Sequence, residues 1–388
     1  MSREAAQLRH VINEGLTCLS DCRFTPVRLP RSTERRAWKS VMDNLVKLRE
    51  EKATFFESRG YDWALARPAY NTAFEADLQW RLLNVLSDID TDHPALANCA
   101  NLVVRVVPTS CARPQLRLVG QYRVIVLTSG YLSAFKGFIR LWLRGCALGQ
   151  ELTNTPPSSH RQAAANYRAA VNGAEDQMSE SARRFVLTLV QLLRNELPTF
   201  GGGSIFDEGV LTRKDHGLLF GALGRAADGF ILFHEAAHVL AGDMAGMQRT
   251  IQSEIEADRG SVSLSIIDEA RRGGHGTLHQ GGPLFFCVEL LRLLCEEVLE
   301  ISEGRRHPEE GRYPGIEELM LRAGLYGQSV NGFLGPKVYP LYCEWNNAMK
   351  PVFDTVKWAI CDVFLNAVPL AEFVNAEKPE AQERGVEA

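Results

Sequence analysis

No stretch of about 20 residues in this chain is both strongly apolar and free of charge, so none reads as a bilayer span. The most apolar stretch, 282–301, carries Glu289, Arg292, Glu296, Glu297 and Glu300 and reads as an amphipathic helix. The opening MSREAAQLRH has no apolar signal core, which makes the cytoplasm the expected location. Charge of one sign is lacking too: a net charge of −4 over 388 residues gives no reason to expect nucleic acid as a partner. The nine cysteines are scattered; Cys18 and Cys22 are four apart, with no second pair at zinc-ribbon spacing. They read as buried thiols of a reducing compartment. The run FGGGS at 200–204 lacks the lysine and spacing of a phosphate loop and reads as a hinge or tight turn. No internal repeat is visible. These absences argue against membrane, nucleic-acid, disulfide-scaffold and nucleotide-loop classes.

Most of what is present has helical periodicity. Residues 32–59 form a long charged helical pattern and 74–89 (FEADLQWRLLNVLSDI) an amphipathic one. The pattern changes at 101–128. LVVRVV at 102–107 and YRVIVLT at 122–128 are rich in β-branched residues, with Pro108, Pro114 and Gly120 between them. Helical patterns resume at 129–148 and 161–197, separated by the loop LTNTPPSSH and with a break expected near Gly173. Further helices are expected at 282–302 and 340–374, around a polar loop at 305–315. The charged end of the chain, 377–388, reads as disordered.

Chemistry concentrates in 229–258, GFILFHEAAHVLAGDMAGMQRTIQSEIEAD. It contains His234-Glu235-Ala236-Ala237-His238, an H-E-x-x-H motif inside an apolar run that Gly242 can end. Residues four apart on a helix lie on one face, so the two imidazoles can reach one tetrahedral zinc ion. Glu235 is turned partly off that face and suits the role of proton acceptor from the zinc-bound water. A third ligand is expected from the following helix, 253–267, with Ser253 as its cap. Glu254 and Asp258 share a face of that helix. Glu254 is assigned as the ligand and Asp258 as the carboxylate that orients a ligand histidine from behind. Glu256 points roughly 160° away from both at ~100° per residue and reads as solvent-facing or structural.

His234-Glu235-x-x-His238 followed by Ser253-Glu254-Ile255-Glu256-Ala257-Asp258 resembles the gluzincin metallopeptidases, and among them the Lit-type phage-exclusion peptidases of bacteria. The resemblance covers about 102–267. It implies His234, His238 and Glu254 as zinc ligands, Glu235 as base and Asp258 behind the ligands. It also implies a small sheet before the zinc helix, whose edge strand pairs with extended substrate, and a cytoplasmic protein substrate such as a translation elongation factor. An ordinary core hairpin is the other reading of 102–128. The metzincin pattern fits poorly, because Ala241 and Met244 stand where it needs glycine and histidine.

The expectation is therefore an α+β, mainly helical chain with a zincin-like catalytic core and a small β-sheet. The division is a helical region 1–95, a catalytic core 96–270, a helical region 271–375 and a tail 376–388. The expected activity is zinc-dependent hydrolysis of a peptide bond, restrained until a partner or a substrate complex activates it. His275 and His279 in the glycine-rich stretch 271–282, along with His216 and Tyr313, are candidates for stabilising an oxyanion. The alternative is a non-catalytic binding or sensor protein on the same scaffold.

Overall fold

The computed structural model describes residues 33–61, 63, 73–89, 94–99, 101–107, 113–119, 122–156, 158–194, 214–243, 249–272, 277–305 and 314–364. The chain is mainly helical with one small sheet. In order, the elements are α1 (Thr33–Glu57), α2 (Ala73–Leu86), β1 (Leu102–Val107), β2 (Gln115–Val119), β3 (Tyr122–Thr128), α3 (Ser129–Thr153), α4 (His160–Gly173), α5 (Glu175–Leu193), α6 (Lys214–Ala241), α7 (Ile251–Arg272), α8 (Gly282–Ser302) and α9 (Pro314–Val363). Among the described residues no helix is long and apolar enough to cross a membrane.

The sheet has the order β1-β3-β2. β1 runs parallel to β3, and β2 pairs antiparallel with β3 from Gln115↔Val126 to Val119↔Tyr122. The two β-rich stretches of the sequence are thus parallel neighbours and not the two arms of a hairpin. The hairpin is made by β2, which the sequence hid because QLRLV is short and half polar. Both faces of the sheet are covered, which explains the near-continuous apolar runs of β1 and β3. Val103, Val107, Val119, Val124 and Val126 face Leu45, Leu48 and Phe56 of α1. Leu102, Val104, Leu116, Ile125 and Leu127 belong to the main core with α3 and α6.

The two edges differ. Along β1, the side chains of α2 take the outward amides: Gln79 Oε1 accepts from the Val104 N–H at 2.7 Å and Glu75 Oε2 from that of Val106 at 2.9 Å. That edge is closed to a further strand. β2 holds the opposite edge, and its first residues line a cleft of about 710 Å³.

α6 is the central helix. From Phe230 to Val239 every residue is buried, so its apolar residues are not confined to one stripe. α9 is not a straight rod. Tyr326 and Tyr342 would lie ~24 Å apart along one axis, yet their ring centroids are 6.0 Å apart. Its two arms fold back on each other, and Gly335, Pro336 and Pro340 lie between the two tyrosines in sequence. The first arm, which the sequence left unassigned, carries Arg322 to the site described next.

Candidate metal centre

α6 carries His234 and His238 one turn apart, both buried. It ends at Gly242, whose φ of +85° is open to glycine at little cost. This left-handed residue completes a hydrogen-bonded helix end, with Gly242 N–H to Val239 O at 3.1 Å and Asp243 N–H to His238 O at 3.0 Å. The turn brings the Asp243 carboxylate back onto the helix, 2.6 Å from His238 Nδ1.

α7 begins with a reciprocal cap. Thr250 Oγ1 accepts from the Ser253 N–H and Ser253 Oγ from the Thr250 N–H, each at 3.1 Å. The cap is therefore Thr250, three residues before the expected Ser253, and Ser253 is its partner within the first turn. Glu254 falls in that first turn, where a helix N-terminus favours a carboxylate. α7 approaches α6 closely because residue 260 is glycine: a Cβ there would stand 2.7 Å from the Cβ of Ala237, between the two histidines.

The result is a convergent donor set. His234 Nε2 and His238 Nε2 are 3.2 Å apart. Glu254 offers Oε2 to the first at 3.3 Å and Oε1 to the second at 3.4 Å. These contacts use both oxygens of Glu254; with one ligand atom taken from each residue, the three atoms lie within 4.8 Å of one another, close enough to share one ion. A carboxylate stands behind each ring: Asp243 Oδ2 is hydrogen-bonded to His238 Nδ1, and Asp258 Oδ1 lies 2.9 Å from His234 Nδ1 but out of hydrogen-bond alignment. That leaves both Nε2 atoms for the shared centre. The set His234, His238 and Glu254 could hold a metal ion.

Two arginines complete the surroundings. Arg322 donates Nε and Nη2 to Asp258 at 2.8 and 3.0 Å, and its Nη1 lies 2.7 Å from Glu254 Oε2. Arg249 donates Nη2 to Glu235 Oε2 at 2.6 Å and Nη1 to Glu235 Oε1 at 3.2 Å, and reaches Glu254 Oε1 at 3.4 Å. The centre opens into a cleft of about 710 Å³ bounded by Gln115, Leu116 and Arg117 of β2, by Tyr131, Ile231 and Phe285, and by Glu289, Glu318 and Arg322.

No family model matches this chain. No curated protein and no solved structure matches it either. The geometry therefore carries the reading alone.

The residues assigned from the sequence gather as expected. His234, Glu235, His238, Glu254 and Asp258 form one cluster, while Glu256 is exposed and accepts from Gln252 Nε2 at 2.8 Å. Of the oxyanion candidates, His279 does not join it. His279 is buried in a π-helical turn (Thr277–Gly281), with ring centroids 6.1 Å from His160, and is not among the cleft-lining residues. His275, Tyr313, Cys18, Cys22, the FGGGS run and the charged tail lie outside the described residues, as does the side chain of His216. Asp243, Arg249 and Arg322 were not singled out from the sequence. Only Asp243 had a local signal, since it follows the glycine that ends the zinc-motif helix.

Burial pushes the His234 pKa down, but the hydrogen bonds and charges of Asp258 and Glu254 outweigh it and raise the value to about 9. Burial likewise opposes ionisation of Glu254, yet His234, His238 and Arg322 hold its carboxyl far below the usual range. An incoming ion must therefore displace a proton from His234 at any pH below about 9. Metal affinity is expected to rise with pH between about 7 and 9, by up to tenfold per unit. Without metal, the stabilisation from the raised His234 value is complete below its ordinary pKa of 6.5 and lost as pH climbs through about 9. Metal titrations at three pH values would check this; an affinity independent of pH would remove the proton from His234.

Proposed function

We propose that this chain is a zinc-dependent metalloendopeptidase acting on a protein substrate. The observation that carries the reading is the pair of imidazole Nε2 atoms facing Glu254, with a carboxylate behind each imidazole. Charge supports a divalent ion. With both imidazoles neutral, as they must be to act as ligands, four carboxylates (Glu235, Asp243, Glu254 and Asp258) against two guanidiniums (Arg249 and Arg322) leave a deficit of two positive charges. Two imidazoles, one carboxylate and an open cleft suit zinc with a position left for water or substrate, whereas a fourth protein ligand would favour a binding module.

A zinc ion held there would polarise a scissile carbonyl and lower the pKa of a water molecule. His234, His238 and Glu254 would hold the ion; Asp258 and Asp243 keep the two rings in register. Glu235 accepts the proton of the attacking water and passes it to the leaving amine, so no covalent enzyme intermediate is required. Tyr131, Ile231 and Phe285 give the cleft an apolar wall. β2 is an edge strand beside the site, which suits extended peptide added as a further strand. The resemblance to Lit-type peptidases extends the proposal to a cytoplasmic substrate such as a translation elongation factor, cut in phage exclusion.

The test is metal content. Purified protein is expected to hold about one zinc per chain and the His238→Ala variant none. Folded wild-type protein that takes up no zinc even when supplied with it would end the reading.

A further inference from the structure

We propose that Arg249 is a latch on Glu235 which a substrate carboxylate releases, so that the site selects peptides carrying an acidic side chain close to the bond to be cut. The proposal rests on the hydrolytic reading above and adds a substrate class to it. Both oxygens of Glu235 accept from the Arg249 guanidinium, at 2.6 and 3.2 Å. Both residues line the cleft, but the Glu235 side chain is 3% exposed and that of Arg249 28%, so the arginine is the more open member of the pair and covers part of the base. While it stays there, a water molecule bound for Glu235 has to share a carboxylate that already faces a fixed cation.

The two arginines of the site are built differently. Arg322 is 8% exposed and is held by Asp258 and Glu254 from within a helix. Arg249 precedes the cap of α7, outside any helix, and is partly open to solvent. Its departure requires another acceptor. A guanidinium matches a carboxylate in a two-pronged pair, and charge-assisted bonds are roughly twice as strong as those to a neutral carbonyl. The neighbouring carboxylates are committed, Glu254 to the histidines and Arg322, Asp243 to His238. Of the two further carboxylates that line the cleft, Glu289 is paired with Arg113 and Arg292 and Glu318 acts on Arg322, which leaves a substrate carboxylate as the natural acceptor.

A second observation points the same way. Arg117, on the edge strand that lines this cleft, has its guanidinium held by the neutral Gln115 Oε1, at 2.9 and 2.6 Å. Among the described residues no carboxylate forms a salt bridge with it. Among the described residues the cleft thus keeps one guanidinium without an anionic partner and a second that is held by an exchangeable one.

The test reads binding, separately from turnover. Zinc-loaded wild type, Glu235→Gln, Arg249→Ala and Arg249→Lys are titrated into fluorescein-labelled hexapeptide mixtures, fixed as Glu or Gln at one position and randomised at the others, and followed by anisotropy. Wild type is expected to prefer Glu about tenfold at one or two positions. Glu235→Gln weakens the latch and should widen that preference; Arg249→Ala should erase it, and Arg249→Lys, which keeps the charge without the fork, should retain part. Equal binding of Glu and Gln mixtures by wild type, or no binding of either, overturns the proposal. So does a preference that survives Arg249→Ala, which would assign acid recognition to Arg117 or the metal. A uniform loss of binding in both Arg249 variants would make it only a support for Glu235. Cleavage without acid preference would leave the hydrolytic reading standing and remove the latch. Acid preference with the stated variant pattern but no cleavage of any peptide would do the reverse.

Discussion

A Glu235→Gln protein should bind zinc like the wild type and cleave its substrate at least ~100-fold more slowly, the scale on which a positioned general base contributes. The substitution is close to isosteric at a side chain that is 3% exposed, so the fold and the three ligands are left in place. The amide oxygen can still accept one hydrogen bond from Arg249. What is lost is the capacity to take up a proton. Metal analysis and turnover on the same preparation separate the outcomes. Full turnover with zinc present would remove Glu235 from the mechanism; loss of zinc would mean that the residue supports the centre instead of serving it.

The part of the site legible in the sequence is the part set by helical spacing. His234, Glu235 and His238 sit on one helix, and Glu254 and Asp258 on the next, so periodicity alone determines which of them share a face. Residues that reach the site by tertiary packing leave no such trace. Arg322 comes from the first arm of α9 and meets Asp258 across 64 residues of sequence. Arg249 sits in an unpatterned stretch before the Thr250 cap, and no periodicity assigns it a face. The cap itself was misplaced because threonine and serine three apart, each bonding the other's amide, look alike from the sequence.

The sheet repeats the lesson at another scale. β1 and β3 announced themselves by composition, being buried on both faces, but composition says nothing of direction. β2 lies at an edge with Leu118 61% exposed and alternates weakly, so its residues match a loop as well as a strand. The polar side chains that close the β1 edge, Gln79 and Glu75, belong to an α2 pattern that reads as plainly amphipathic. The edge that was hardest to read is the one that borders the cleft.

Arg322→Met should be the most destabilising single change at the centre. The arginine is the only guanidinium bonded to Asp258 among the described residues, and Asp258 is 2% exposed. Removing one partner of a buried ion pair costs about 3–5 kcal/mol, because the remaining charge stays in a poorly solvated place. Methionine fills much of the vacated volume, so the loss is one of charge more than of packing. In metal-free protein, protonated His234 still faces Asp258 at 2.9 Å and offsets part of the loss. That offset should weaken as pH rises toward 9 and His234 gives up its proton, making the variant's deficit larger at pH 9 than at pH 7. Zinc changes the balance in the other direction. An ion held by Glu254 supplies positive charge beside the carboxylate that Arg322 otherwise neutralises. Urea unfolding of the variant and the wild type, with and without zinc and at both pH values, would read all three effects. A variant as stable as wild type without metal would show that Asp258 and Glu254 do not depend on Arg322, and the charge argument for a divalent ion would lose one of its two cations.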